Sequence, residues 1–151
     1  MEAAPSAAYV VFCEDDIVFA PGILQQLDTL LDKVQSANAS ADIITLMTSS
    51  AGHQQPVQLT DPWSVFFGTR GLVMQSAVAQ EFMIYCRNRF ADAPVDWLLN
   101  FFIQERRKSL WAIYPNVVDH VGSTSSLPGK HQSLVSSTFE GRGCRVDSQS
   151  E

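Results

Sequence analysis

The sequence predicts an α/β fold, a sheet flanked by helices, on three observations. The first is an uninterrupted apolar run, Ala8-Tyr9-Val10-Val11-Phe12-Cys13, that stops at the carboxylates Glu14-Asp15-Asp16. A run apolar at every position and rich in β-branched and aromatic residues reads as a strand buried on both faces, the kind found in the middle of α/β sheets. The second is a change of period just downstream. Ile23, Leu24, Leu27, Leu30, Leu31 and Val34 recur at the spacing of an amphipathic helix, with Gln25, Gln26, Asp28 and Asp32 on the other side. The third is that this alternation continues along the chain as strand, helix, strand, strand pair, two helices, strand.

Each element has its own signal. Pro21-Gly22 opens the first helix, and the stretch from Ser36 to Ala41 breaks it. Asp42-Ile43-Ile44-Thr45-Leu46-Met47-Thr48 is the second strand. Ser49 to Pro62 is polar, with Gly52 and Pro56, and long for a connection, which suits a binding or lid loop. Trp63–Gly68 and Gly71–Met74 form two short strands around the turn residues Thr69-Arg70. Ser76 is placed to cap a helix whose apolar positions are Val78, Ala79, Phe82, Met83, Cys86 and Phe90. Asp92-Ala93-Pro94 starts the next, with Trp97, Leu98, Phe101 and Phe102 on its apolar side. Arg106-Arg107-Lys108 end it, cations suited to the negative end of the helix dipole. Leu110–Pro115 is the last strand. From Ser133 the chain is Ser-rich and aperiodic, so residues 1–132 are expected to form the domain and 133–151 a disordered tail.

At 151 residues, 46% hydrophobic and 17% charged, the chain has the composition of one globular domain rather than of a disordered segment. The formal charge of −6 argues against a nucleic-acid or anionic-membrane surface, so a phosphate-bearing ligand would need a metal or a few placed cations. No apolar stretch reaches the ~18 residues of a transmembrane helix, and the first residues lack the pattern of a signal peptide. Cys13 and Cys86 read as core thiols, and with Cys144 they fit no zinc spacing. Asn38-Ala39-Ser40 is a glycosylation sequon, informative only in a secretory lumen.

Four pieces of chemistry stand out. Ligands of α/β sheets bind beyond the carboxyl ends of strands, where Glu14, Asp15 and Asp16 fall. Three carboxylates are not all buried unpaired, because desolvating one charge costs several kcal/mol. They are either a solvated turn or a site for a hard cation, Mg²⁺ or Mn²⁺, whose shell phosphate oxygens commonly complete. Asp96 lies in the first turn of its helix, as a charge favoured by the dipole or as a general base for an acceptor hydroxyl. His120, in Asp119-His120-Val121-Gly122, is either a hydrogen-bonded structural residue or a nitrogen ligand suited to Mn²⁺. The stretch Ser123-Thr124-Ser125-Ser126-Leu127-Pro128-Gly129-Lys130 is a Ser/Gly surface loop or a diphosphate cradle closed by a cation.

Cys13-Glu14-Asp15-Asp16-Ile17, Pro94-Val95-Asp96-Trp97-Leu98-Leu99 and Asp119-His120-Val121-Gly122-Ser123-Thr124-Ser125-Ser126-Leu127-Pro128-Gly129-Lys130 occur in that order. Together they resemble the N-acetylglucosaminyltransferase IV family, with its EDD-type acidic motif, its P-[IV]-D-W-L-L helix start and its HVG-x-x-SSL-x-GK element. The last two motifs are long and specific, and the resemblance spans about residues 9 to 132. It implies a GT-A-like mixed sheet flanked by helices and an inverting transfer of N-acetylglucosamine from UDP-GlcNAc to mannose of N-glycans in the Golgi lumen. By the same resemblance Asp16, with Asp15, holds Mn²⁺ (or Mg²⁺), and His120 sits near the metal and diphosphate. Asp96 is then the base, and Glu14, Ser125, Ser126 and Lys130 lie about the UDP-sugar donor. The partners implied are that donor and a glycan acceptor. Two departures accompany the match. Asp119 stands where the family has an aromatic or amide residue. The sequence also has no Gly-rich phosphate loop, so most of the N-terminal nucleotide-binding half, with the family's anchor and stem, is expected to be lacking. Two alternatives follow: a relative that modifies glycolipid anchors, which shares the EDD and HVG-x-x-SS elements, or a non-catalytic remnant binding a glycan or partner chain.

Overall fold

Side-chain alternation along the strands decides which helix covers which face of the sheet. The structure, a computed structural model, describes residues 7–48, 56–59, 70–120 and 139. In chain order it has β1 (Tyr9–Cys13), β2 (Ile17–Phe19), α1 (Ile23–Ser36), β3 (Ile43–Thr45), β4 (Val57–Leu59) and β5 (Gly71–Gln75). These are followed by α2 (Ser76–Arg89), α3 (Val95–Glu105), β6 (Leu110–Ala112) and β7 (Val118–His120). The result is a mixed α/β fold with, among the described residues, these three helices. One sheet has strand order β1-β5-β3-β6-β4, and β2 pairs with β7 in a second. The larger sheet is mixed: β3 and β6 are parallel, and every other pair is antiparallel.

Cross-strand register sorts the core into two layers. Val73, Ile44 and Trp111 lie opposite one another on one face and pack with Leu27, Leu30 and Val34 of α1. Met74, Ile43 and Leu110 line up on the other face, against Val78, Phe82 and Tyr85 of α2 and Leu98, Leu99 and Phe102 of α3. β3 and its parallel neighbour β6 are therefore covered on both sides, with all three residues of each buried. Phe139, from the Ser-rich stretch, is buried in the α1 layer.

The expectation that the Tyr9–Cys13 run is a central strand is overturned. Among the described residues β1 is an edge strand whose one neighbour in the sheet is β5, with Val10, Val11 and Cys13 exposed. The apolar run encodes the extended conformation, but the helices lie over β5, β3 and β6, and burial follows the helices. Cys13 is consequently not a core thiol, whereas Cys86 is partly buried against the α2–α3 layer.

Helix ends show the local rules at work. α1 begins behind Gly22 at φ 76, a left-handed conformation that glycine adopts without steric penalty. It ends in a Schellman turn: Ala39 N–H donates to Val34 O at 3.0 Å and Asn38 N–H to Gln35 O at 3.0 Å, with Asn38 at φ 50. α3 ends the same way, with Lys108 N–H to Ile103 O at 3.0 Å and Arg107 N–H to Gln104 O at 3.3 Å; here the left-handed residue is Arg107, φ 51. Ser76 does not cap α2. It is the helix's first residue, and its hydroxyl donates to the Ala7 carbonyl, tying α2 to the start of β1. The helical stripes are narrower than their apolar spacing predicts: Leu24, Met83, Phe90 and Trp97 are exposed.

Both ends of the parallel β3–β6 pair are clasped. At the amino end the Asp42 N–H donates to Ser109 Oγ at 2.9 Å, while Asp42 Oδ2 accepts from Ser109 N–H at 2.7 Å and its hydroxyl at 2.9 Å. At the carboxyl end Asn116 Oδ1 accepts from Thr48 N–H at 3.0 Å, and Asn116 Nδ2 donates to Thr48 O at 2.9 Å. The predicted strand at Leu110–Pro115 stops at Ala112, and the chain turns through a cis Tyr114–Pro115 peptide. Gly71 lies where a Cβ would come within 3.2 Å of Leu46 Cβ and Val118 Cγ2, so the two sheets meet there in close contact. The predicted strand at 63–68 lies outside the described residues.

Candidate functional site

The acidic triplet occupies the connection between β1 and β2, at the carboxyl end of β1. Glu14 and Asp16 are half-buried and Asp15 is exposed. β2 then pairs antiparallel with β7 in the register Ile17↔His120, Val18↔Asp119 and Phe19↔Val118. Asp16 is the residue just before the first of these pairs, and His120 is the residue that forms it. Backbone pairing thus brings the triplet and the Asp119-His120 segment together at one end of a two-stranded ribbon.

The ribbon is seated by its apolar members. Val118 is fully buried in the α1 layer, Ile17 packs against that layer, and Ala20 N–H donates to Val117 O at 2.7 Å. Asp119, where the sequence departs from the family pattern, is fully buried. A carboxylate is tolerated in such a position only when paired or hydrogen-bonded. The pairing itself was not legible in the sequence, because two three-residue strands are too short to show a period; the Val117-Val118 doublet was the only signal.

Asp96 stands apart from this ribbon. It is the second residue of α3, half-buried, and α3 packs in the layer on the opposite face of the sheet from α1. Its Oδ1 accepts from the Trp97 N–H at 2.9 Å, and its carbonyl accepts from Asn100 Nδ2 at 3.2 Å. That is the local arrangement of a helix-start carboxylate, and it leaves one carboxylate oxygen outside this contact. No strand register carries Asp96 toward the triplet. Ser125, Ser126 and Lys130 lie outside the described residues. Among the described residues no three His, Cys, Asp or Glu side chains converge as a metal-holding group.

Two of the cavities among the described residues bear on the site. One, of about 410 Å³, opens between α2 and α3 and is lined by Glu81, Tyr85, Arg89, Phe102, Glu105 and Arg106 among others. Three of its charged lining residues, Glu81, Arg89 and Glu105, are held in ion pairs. Arg89 Nε pairs with Asp92 at 2.8 Å and its Nη1 with Glu105 at 2.8 Å, Nη1 also donates to Tyr85 Oη, and Lys108 pairs with Glu81 at 2.8 Å. The hydrogen bonds that Arg89 donates to Asp92 and Glu105 hold the guanidinium pKa above its ordinary value, and Arg89 in turn holds the Glu105 carboxyl below its own. Burial, then the hydrogen bond with Glu105, pushes the Tyr85 phenol up. The other cavity, of about 390 Å³, is apolar and lies between the open face of β1, β2 and the start of α1, with Val11, Cys13, Phe19, Leu24 and Leu46 in its wall. Cys13 is exposed, and the desolvation it does undergo pushes its thiol pKa up. Comparison with protein-family models and with curated proteins finds no match to this chain.

Proposed function

We propose that the chain is a metal-dependent glycosyltransferase domain of GT-A-like architecture, acting in the Golgi lumen. Its donor is UDP-GlcNAc and its acceptor a mannose of an N-glycan. The observation that carries the reading is the β2–β7 register, which sets His120 beside the end of the acidic triplet. The three motifs in their order add to it. Carboxylate oxygens with one imidazole are a donor set that fits Mn²⁺ or Mg²⁺. In this reading Asp16 and Asp15 hold the cation with His120, and Glu14, Ser125, Ser126 and Lys130 bind the donor around it. When bound, the ion neutralises the charge that develops on the departing UDP. By the motif resemblance Asp96, at the start of α3 and apart from the ribbon, takes the role of base. It removes the proton from the acceptor hydroxyl as that oxygen attacks the anomeric carbon from the face opposite UDP and inverts the configuration. The role requires the acceptor to span from the start of α3 to the triplet. Among the described residues no helix is long and apolar enough to cross a membrane.

The test is thermal unfolding of the chain with Mn²⁺ alone, then with UDP, then with UDP-GlcNAc. Ligand at about a hundredfold its Kd stabilises by about 2.7 kcal/mol, a shift of several degrees. The shift is expected to require Mn²⁺ and to disappear in Asp16→Asn. A chain that melts cooperatively and is unmoved by Mn²⁺ with either nucleotide would exclude a donor site in it.

A further inference from the structure

The sequon Asn38-Ala39-Ser40 is a motif that the transferase reading leaves unused, and the sequence holds no second Asn-x-Ser/Thr. The fold decides whether such a motif can be modified, because a bulky, polar glycan is compatible with a folded chain only from its surface. Asn38 meets that condition. It follows the last turn of α1 as the left-handed residue of the Schellman turn, and it is exposed. Ser40 is exposed as well, and it ties the turn to the sheet: its hydroxyl donates to Asp42 Oδ1 at 3.2 Å, and its carbonyl accepts from Trp111 Nε1 at 3.0 Å. Between them Ala39 packs against the α1 layer. A groove of about 440 Å³, lined by Tyr9, Leu31, Gln35, Ala39, Ser40 and Gln75 among others, opens beside the turn and leaves room for a first sugar.

Given the luminal placement of the transferase reading, on which this rests, we propose that Asn38 carries an N-linked oligosaccharide. The Asn38 amide nitrogen forms a bond to the anomeric carbon of the reducing-end sugar of a lipid-diphosphate oligosaccharide. The bond from that carbon to the diphosphate breaks, the lipid diphosphate leaves with the electron pair, and the amide nitrogen gives up one proton. Topology keeps the glycan clear of the acidic triplet. β5 is antiparallel to both β1 and β3, so β1 and β3 point the same way. The sequon precedes the amino end of β3, beside Tyr9, while Glu14-Asp15-Asp16 follows the carboxyl end of β1. The five residues of β1, about 13 Å of strand, lie between the two.

Mass spectrometry of the full chain isolated from the cells that make it, with and without peptide N-glycosidase, tests the modification. A glycosidase-sensitive mass at Asn38 is expected. The same chain routed into a secretory lumen behind a cleavable leader separates the site from the compartment. Asparagine suits a left-handed position without any glycan, so variants at both ends of the sequon are needed. Asn38→Gly keeps the turn and is expected to abolish the glycan; Ser40→Ala keeps Asn38 and is expected to abolish it too, while Ser40→Thr retains it. The Mn²⁺-dependent thermal shift with UDP is expected to be the same before and after glycosidase treatment. An unmodified Asn38 in the routed, folded chain, or a glycan that survives Ser40→Ala, would overturn the proposal whatever UDP does. A routed chain that is modified beside a native chain that is not would overturn it through the luminal placement instead. A glycan at Asn38 with no UDP shift would support the modification and count against the donor site alone.

Discussion

Arg107 adopts φ 51 at the end of α3, where glycine would normally complete the turn. An L-residue held there carries ~1 kcal/mol of steric penalty, so Arg107→Gly is expected to raise stability by about that amount in urea unfolding. Asp96 gives a prediction of a different kind. If it is the base, Asp96→Asn lowers transfer by ~10²-fold or more while leaving Mn²⁺-dependent UDP binding intact; equal loss of both would mark it as a helix-start charge only. Glu105 predicts a pH dependence. Arg89 holds its folded pKa below the ordinary 4.5, so the pairing contributes fully above 4.5 and is lost as pH falls through the folded value. The difference in melting temperature between the wild type and Glu105→Gln is expected to be largest near neutrality and to close in acid. At this scale the sequence was informative about chemistry and silent about company: the triplet and His120 were each visible as candidates, but nothing in their spacing said that backbone pairing would bring them together.

At the scale of elements, α1 shows what a periodic pattern can and cannot say. Its stripe predicted the helix from Ile23, and the helix is there, yet of the six stripe residues Leu27, Leu30 and Val34 are buried and Leu24 is 74% exposed. Leu30→Ala is therefore expected to cost about 2–5 kcal/mol and Leu24→Ala within ~0.5 kcal/mol, a contrast that paired unfolding curves resolve. Spacing identifies a face, while the length of that face in contact with the sheet is set by the neighbouring strands. β1 makes the same point for strands. Its residues predict extension correctly and position wrongly, since an apolar residue fits a covered or an uncovered site equally well as far as local sequence is concerned. β4, inside a stretch read as a polar loop, was hidden because a Val-Gln-Leu alternation is too short to distinguish from chance.

For the molecule as a whole, the α/β class was legible because strand and helix periods alternate along the chain. The mixed character of the sheet, which the structure has, was implied by the motif resemblance and not by periodicity, because direction depends on which strands become neighbours. β3 ends up central through partners from later in the chain, β5 and β6. The two side-chain clasps at its ends, Asp42 with Ser109 and Thr48 with Asn116, bridge 67 and 68 residues. Contacts of that separation form only after most of the chain has been ordered, which assigns them to the late side of the folding barrier. Ser109→Ala should accordingly steepen nothing in the refolding limb of a chevron plot and lift the unfolding limb by nearly the whole stability change. The clasps would then govern how long the folded chain persists rather than how fast it is reached.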